Sequence, residues 1–268
     1  MSTRSFDAAT SLLARLSARR PGLAYPLAGA LGALRNRVTR RWPAREEVQR
    51  LFPHLGRSAS ARVASAIGSL HERNLVLIRA LAQKGPDPLQ HLVSAPESLL
   101  SIAGPCILAT FHVGALHAVG GALARFRTPV LALRLGHFLA QGALEIQSTE
   151  GDVEQRASAL HCALLHLRGG GIVVVPADVA AGTSLATPFL GHHLRLAPGA
   201  FALAKWTGAP IVPVVARWTR EGISVLAGDP LPRPTPEAAA AWLERYLLDW
   251  PGETTLAMLR ALLYPELD

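Results

Sequence analysis

Residues 169–178 read GGGIVVVPAD, and this stretch decides the fold. Three glycines suit a turn, and the apolar run at residues 172–176 starts directly after them. A short continuous apolar run of this kind is typical of a strand that is buried on both faces of a sheet. The stretch therefore predicts a buried strand that ends close to an acidic side chain, Asp178.

Apolar runs of the same character occur at three other places in the chain, and helical patterns separate them. The runs are residues 106–111 (CILATF), 129–133 (PVLAL) and 211–216 (IVPVVA), and the helical patterns are residues 113–125, 153–168 and 198–207. Alternating buried strands and helices predict an α/β fold with a largely parallel central sheet flanked by helices.

The first hundred residues lack such runs and have a helical pattern instead. Residues 6–19 and 58–83 repeat apolar side chains at helical spacing. We therefore expect a helical N-terminal section, residues 1–100, that packs on an α/β core of residues 101–268 as one structural unit.

The composition is both apolar and basic. Of 268 residues, 50% are hydrophobic, and 27 Lys and Arg against 19 Asp and Glu give a net charge of +8. A basic surface attracts nucleic acid, anionic lipid headgroups or acidic proteins. Only 6% of the residues are aromatic, and no zinc-finger spacing or Lys/Arg tract occurs, which argues against nucleic acid.

Several features predict a cytoplasmic protein that is able to lie on the inner face of a membrane. Cys106 and Cys162 have no metal-binding spacing and indicate free thiols in a reducing compartment. The N-terminus lacks the apolar centre of a signal peptide. The apolar residues 22–34 number about 13, whereas a spanning helix needs roughly 20.

Polar side chains stand at the ends of three predicted strands. His112 follows the run at residues 106–111, Arg134 follows the run at 129–133, and Asp178 comes two residues after the run at 172–176. The carboxyl ends of parallel strands meet at one edge of the sheet, so these residues are expected in one crevice. A histidine there can act as a general base and an arginine can hold an anion, although each residue taken alone also fits a solvated loop.

The segment at residues 110–117, TFHVGALH, resembles the first motif of glycerolipid-type acyltransferases. It is most similar to that of bacterial lipid A biosynthesis acyltransferases, in which His is followed after four residues by Asp or Glu. Further segments resemble the family in the same order, over roughly residues 40–217. They are residues 51–53 (LFP), 130–135 (VLALRL), 169–178, 182–191 (GTSLATPFLG) and 198–213 (PGAFALAKWTGAPIVP).

The resemblance implies transfer of an acyl group from a thioester on an acidic acyl carrier protein or coenzyme A. The thioester is a co-substrate, and no other cofactor is expected. His112 would take a proton from a hydroxyl or amine of a lipid, or of a small metabolite or peptide in natural product tailoring. Arg134 and Gly191 would contact substrate, and Asp178 would shape the pocket. Arg195, after the Phe-Leu-Gly turn, is a candidate for a second anion contact.

The chain departs from the family pattern at His117, which stands where the family has a carboxylate. One interpretation is a working enzyme with His112, His117 and Asp178 as catalytic residues, in which Asp178, Glu145 or Glu150 supports His112 or an amine acceptor demands less of it. The second is a catalytically silent protein that binds acyl groups or a carrier protein.

A metal site is the third interpretation. It would use histidines that we expect near the crevice: His112, His117, His192 and His193. Residues five apart on a helix point about 140° from each other, which disfavours a shared metal, and we expect none.

Overall fold

The computed structural model describes residues 3–39, 45–84, 91–123, 125–134, 145–148, 152–178 and 183–265. The N-terminal section begins with helices, as predicted. These are α1 (Thr3–Ser17), α2 (Pro21–Thr39), α3 (Arg45–Leu51) and α4 (Arg57–Lys84). No helix among these residues combines the length and the apolar character needed to cross a membrane.

Helices α1, α2 and α4 pack closely around a buried carboxylate. Glu72 on α4 is fully buried, accepts a hydrogen bond from the Thr10 hydroxyl of α1, and pairs with Arg35 of α2 at 3.2 Å. Gly32 and Gly68 allow the backbones of α2 and α4 to approach, since a Cβ at Gly32 would collide with the Gly68 carbonyl. A buried carboxylate needs such partners because burial without them is costly.

The predicted α/β core is confirmed. Among the described residues the main sheet has seven strands in the order β1-β9-β8-β2-β5-β3-β4, and all neighbours are parallel except β8 and β9. Its strands are β1 (Val93–Ser94), β2 (Cys106–Gly114), β3 (Val130–Arg134), β4 (Glu145–Ser148), β5 (Ile172–Pro176), β8 (Ile211–Trp218) and β9 (Ile223–Ala227). Strands β6 (Leu185–Phe189) and β7 (His192–Leu196) form an antiparallel hairpin.

Helices cover both faces of the sheet. They are α5 (Glu97–Leu100), α6 (Val119–Leu123), α7 (Val153–Arg168), α8 (Gly199–Thr207), α9 (Pro236–Asp249) and α10 (Leu256–Leu263). One apolar core joins the sheet to α7, α8, α9 and α10, and the other joins it to α1, α2 and α6. Alternate residues of β2, such as Ile107 and Leu108, enter opposite cores. This explains why the strands read as continuous apolar runs.

The prediction of a helix over residues 113–125 is wrong for most of this range. Strand β2 continues to Gly114, a short 3-10 turn follows at Leu116–Ala118, and α6 covers only Val119–Leu123. Gly114 has φ +58, a conformation that glycine adopts without strain, so the chain leaves the strand here by a sharp turn. The last strand residues therefore carry side chains that we had expected on a helix.

Candidate active site

His112 and Asp178 lie side by side on neighbouring strands. In the parallel register of β2 and β5, Thr110 stands opposite Pro176, so the residues two positions further along each chain also meet. The two oxygens of Asp178 both contact His112. The backbone N–H of His112 donates to Oδ2 at 2.6 Å, and Nδ1 of the ring lies 2.9 Å from Oδ1. Two of the three polar residues predicted at strand ends are thus brought together.

The contact with Asp178 sets the protonation of the His112 ring. A carboxylate accepts hydrogen bonds and has none to donate, so Nδ1 carries the proton in the neutral ring and Nε2 keeps its lone pair. Burial lowers the pKa of His112, but the charge and hydrogen bond of Asp178 raise it more, and the pKa lies above its ordinary value. The Asp178 side chain is 3% exposed and that of His112 is 34% exposed. The pair therefore presents a strengthened base to solvent.

The sequence motifs gave no indication of Thr255, which holds the other side of His112. The Thr255 hydroxyl donates to the His112 carbonyl at 2.5 Å, and Thr254 pairs with Val113 in an antiparallel bridge. Thr255 is also the N-cap of α10, where its side chain accepts from the Met258 N–H. The start of α10 thereby fixes the backbone that carries the base.

For the acyl transfer that the resemblance implies, we predict that Thr255→Ala lowers kcat on the order of tenfold, because small displacements of a group that moves a proton are costly. Thr255→Ser keeps the hydroxyl and is expected to restore kcat. Thr235→Ala is the matched control, since Thr235 caps α9 by the same bond to a backbone N–H. Steady-state kinetics of the three variants test the assignment. Equal losses of kcat in the Thr255→Ala and Thr235→Ala variants would show that Thr255 acts only as a helix cap.

A cavity of about 430 Å³ opens beside His112. One wall is formed by apolar side chains of α4, the 3-10 turn and α10. They are Leu70, Leu75, Ile78, Leu116 and Leu256. The polar residues of the lining include His71, Asn74, His117 and Arg260. Such a cavity suits a ligand with an apolar body and one reactive polar group.

His117 lies on the lining of this cavity but not on a regular helix. It belongs to the 3-10 turn, whereas His112 belongs to β2. The helical angle between residues five apart, which we used against a shared metal, therefore does not apply. Among the described residues, no group of three or more His, Cys, Asp or Glu side chains is placed to hold a metal ion.

Two of the other predicted substrate contacts, Arg195 and Gly191, do not lie beside His112. Arg195 is an exposed residue of β7, and Gly191 forms the β6–β7 turn with φ +75. Neither residue lines the cavity beside His112. Arg134 ends β3, the strand next to β5, but its side chain lies outside the described residues. The Glu145 side chain and Glu150 also lie outside them.

A second carboxyl group lies beneath the end of β2. A Cβ added at Gly114 would lie 2.9 Å from Oε2 of Glu253, and this oxygen is buried without a hydrogen-bond partner in the described part of the chain. Burial raises the pKa of Glu253 to about 7, against the opposing charges of Arg217 and Arg73. Asn74 donates to the Gly114 carbonyl and accepts from Trp218 Nε1. The turn after the base is thus held from α4 and β8 together.

In chemical terms, the site combines a base of raised pKa, a carboxylate that fixes its tautomer, and an apolar cavity within its reach. This set is suited to removing a proton from a hydroxyl or amine. In comparison with known proteins, the chain matches no family model and no curated sequence.

Proposed function

We propose that the protein is an acyltransferase that moves an acyl group from a thioester to a hydroxyl or amine. The observation that carries the proposal is that His112, paired with Asp178, lines a largely apolar cavity. His112 Nε2 takes the proton from the acceptor as the acceptor attacks the thioester carbonyl. The carbon–sulfur bond then breaks, and the proton goes to the departing thiolate.

The position of Asp178 favours this version over a binding protein without activity. The resemblance places a carboxylate at position 117, where this chain has His117. Asp178 is 2.9 Å from the ring of His112 and supplies a negative charge at the proton-bearing nitrogen. A carboxylate in this place stabilises the imidazolium that forms during catalysis. His117 is then free to differ from the family pattern, and it contacts the cavity instead.

The acyl donor is proposed to be carried by an acidic carrier protein or by coenzyme A. The net charge of +8 favours an acidic partner, and Arg260 adds a cationic group to the cavity wall. Release of the free thiol from each donor, measured with a set of alcohol and amine acceptors, tests the proposal. Acceptor-dependent thiol release supports it. Tight binding of both donors without thiol release would favour the binding-only protein.

We further propose that α2 rests on anionic membrane surfaces. Leu23, Leu27 and Leu34 are each 45–47% exposed and recur along one side of this helix. Exposed arginines of α1 and its C-terminal turn, Arg15, Arg19 and Arg20, lie nearby in the chain. An apolar stripe with basic neighbours is typical of helices that lie in a lipid interface.

We predict that the combined Leu23→Ser and Leu27→Ser variant binds anionic liposomes on the order of tenfold more weakly, because each exposed leucine contributes apolar burial in the interface. The control replaces Leu165 and Leu248, exposed leucines of α7 and α9, by serine. Flotation with anionic and neutral liposomes at low and high salt measures the effect. Equal losses in both variants, or equal flotation with neutral lipid, would contradict the proposed surface.

A further inference from the structure

A second cavity, of about 520 Å³, lies between the start of α2 and the turn that joins β8 to β9. Arg73 of α4 and Trp218 of β8 line it. The neighbouring residue, Asn74, lines the catalytic cavity and accepts the hydrogen bond of Trp218 Nε1 at 3.0 Å. The Asn74–Trp218 contact therefore stands between the two cavities, and a ligand in the second cavity is separate from one beside His112.

One polar atom of Arg73 lacks a partner: its Nε is buried and has no hydrogen-bond partner among the described residues. Its guanidinium carbon lies 5.8 Å from the centre of the Trp218 ring. Burial lowers the pKa of Arg73, and the charge of Glu253 offsets this only in part. Arg73 is half-buried, and an anion in the cavity would stabilise its partly desolvated guanidinium through the part of the side chain that lines the wall.

The Arg73 guanidinium packs against a glycine of α2. A Cβ at Gly29 of α2 would lie 2.6 Å from Arg73 Nε, so glycine at this position is what allows the side chain to lie there. Arg220 contributes a second cation from the β8–β9 turn, and Glu221 in the same turn contributes one negative charge. The two arginines and Glu221 together give the lining one net positive charge.

The rest of the lining is largely apolar. Pro21, Pro26 and Leu92 contribute to the wall together with the rings of Tyr25 and Trp218. On α2, the exposed Leu23 and Leu27 directly follow the lining residues Gly22 and Pro26 in the chain. A free inorganic anion gains nothing from such a wall, whereas an anion attached to an apolar chain buries that chain against it.

We propose that this second cavity binds a single-chain anionic amphiphile. Its phosphate or carboxylate group lies against Arg73 and Arg220, and its chain follows the apolar wall toward α2. This site does not depend on the proposed acyl transfer, because the two cavities share no lining residue.

Titration calorimetry below the micelle concentration tests the site with four probes. Dodecyl phosphate and laurate carry the anionic group on a chain, dodecyl maltoside carries the chain with a neutral head, and inorganic phosphate carries the charge alone. We expect the first two to bind. Arg73→Gln and Arg220→Gln should each weaken that binding about tenfold or more, as expected when a charged hydrogen bond is lost. Arg62→Gln, an exposed position of the same helix α4, is the matched control and should bind as the unaltered protein does.

Several outcomes overturn the proposal. One is dodecyl phosphate binding that is unchanged in both the Arg73→Gln and Arg220→Gln variants. Equal binding of dodecyl maltoside would remove the role of charge, and equal binding of inorganic phosphate would remove the role of the chain. Arg220 is exposed, so we expect Arg220→Gln to fold. This variant therefore tests the site even if Arg73→Gln does not fold. Thiol release, which depends on His112, should be unaffected in Arg220→Gln, so a failure here is distinguishable from a failure of the proposed function.

Discussion

Replacing His112 by alanine is expected to lower kcat for acyl transfer by about 10³-fold, within the range that a general base contributes. The ring is the only part of this residue that can accept the acceptor's proton. The backbone N–H of position 112 still donates to Asp178 in the variant, as it does at 2.6 Å in the unaltered protein. The fold is therefore expected to remain, and the loss should fall on kcat. Stopped or continuous assay of thiol release measures it.

His161→Ala is the matched control for this experiment. His161 is an exposed histidine on α7 that does not line the cavity, and its removal should leave kcat unchanged. Circular dichroism of both variants checks that the fold is retained. If a folded His112→Ala variant turns over at the unaltered rate, His112 is not the base.

Asp178→Asn is expected to lower kcat by about 10² to 10⁴-fold, although it changes the shape of the side chain very little. Both carboxylate oxygens of Asp178 accept hydrogen bonds from His112. In the variant, the amide oxygen of residue 178 can still accept the hydrogen bond from the backbone N–H of His112. The amide NH₂ group then faces Nδ1 of the ring. Nδ1 must then accept, the proton moves to Nε2, and the base has no lone pair for the acceptor.

The same substitution predicts a shift in the pH profile. A histidine with a raised pKa is protonated, and inactive as a base, up to a pH above its ordinary value of 6.5. The acidic limb of kcat/KM should therefore lie above pH 6.5 in the unaltered protein. In Asp178→Asn the charge that raises the pKa is gone while burial still lowers it, so the limb should move to lower pH.

Asp152→Asn provides the control, because Asp152 is an exposed N-cap of α7 that undergoes the same change from carboxylate to amide. It should lower stability slightly without moving the pH profile. A profile that stays in place in Asp178→Asn would show that Asp178 does not govern the ionisation of the base.

The sheet could be predicted because its strands are buried on both faces. A strand such as β5, with all of residues 172–175 buried, has no exposed side for polar residues, and its sequence reads as an apolar run. The meeting of His112 and Asp178 could be predicted from the same feature. In a parallel sheet, residues at equal distances past paired positions come together, and β2 and β5 pair.

The rest of the site depends on contacts between residues far apart in the chain. Thr255 reaches His112 across 143 positions, and Trp218 reaches Asn74 across 144. No local pattern records such contacts, since Thr255 reads only as a helix cap. The helix predicted directly after residue 112 failed for a local reason, because Gly114 permits the left-handed turn that ends β2.

The central claim is that His112, supported by Asp178, drives acyl transfer from a thioester. Mass spectrometry of acceptors incubated with acyl carrier protein and coenzyme A thioesters tests it most directly. We predict that an acceptor gains the mass of one acyl group in step with release of one thiol, and that both disappear in His112→Ala. An acyl mass gain that is equal in the unaltered protein and in His112→Ala, or the absence of any gain with every donor and acceptor, would contradict the account.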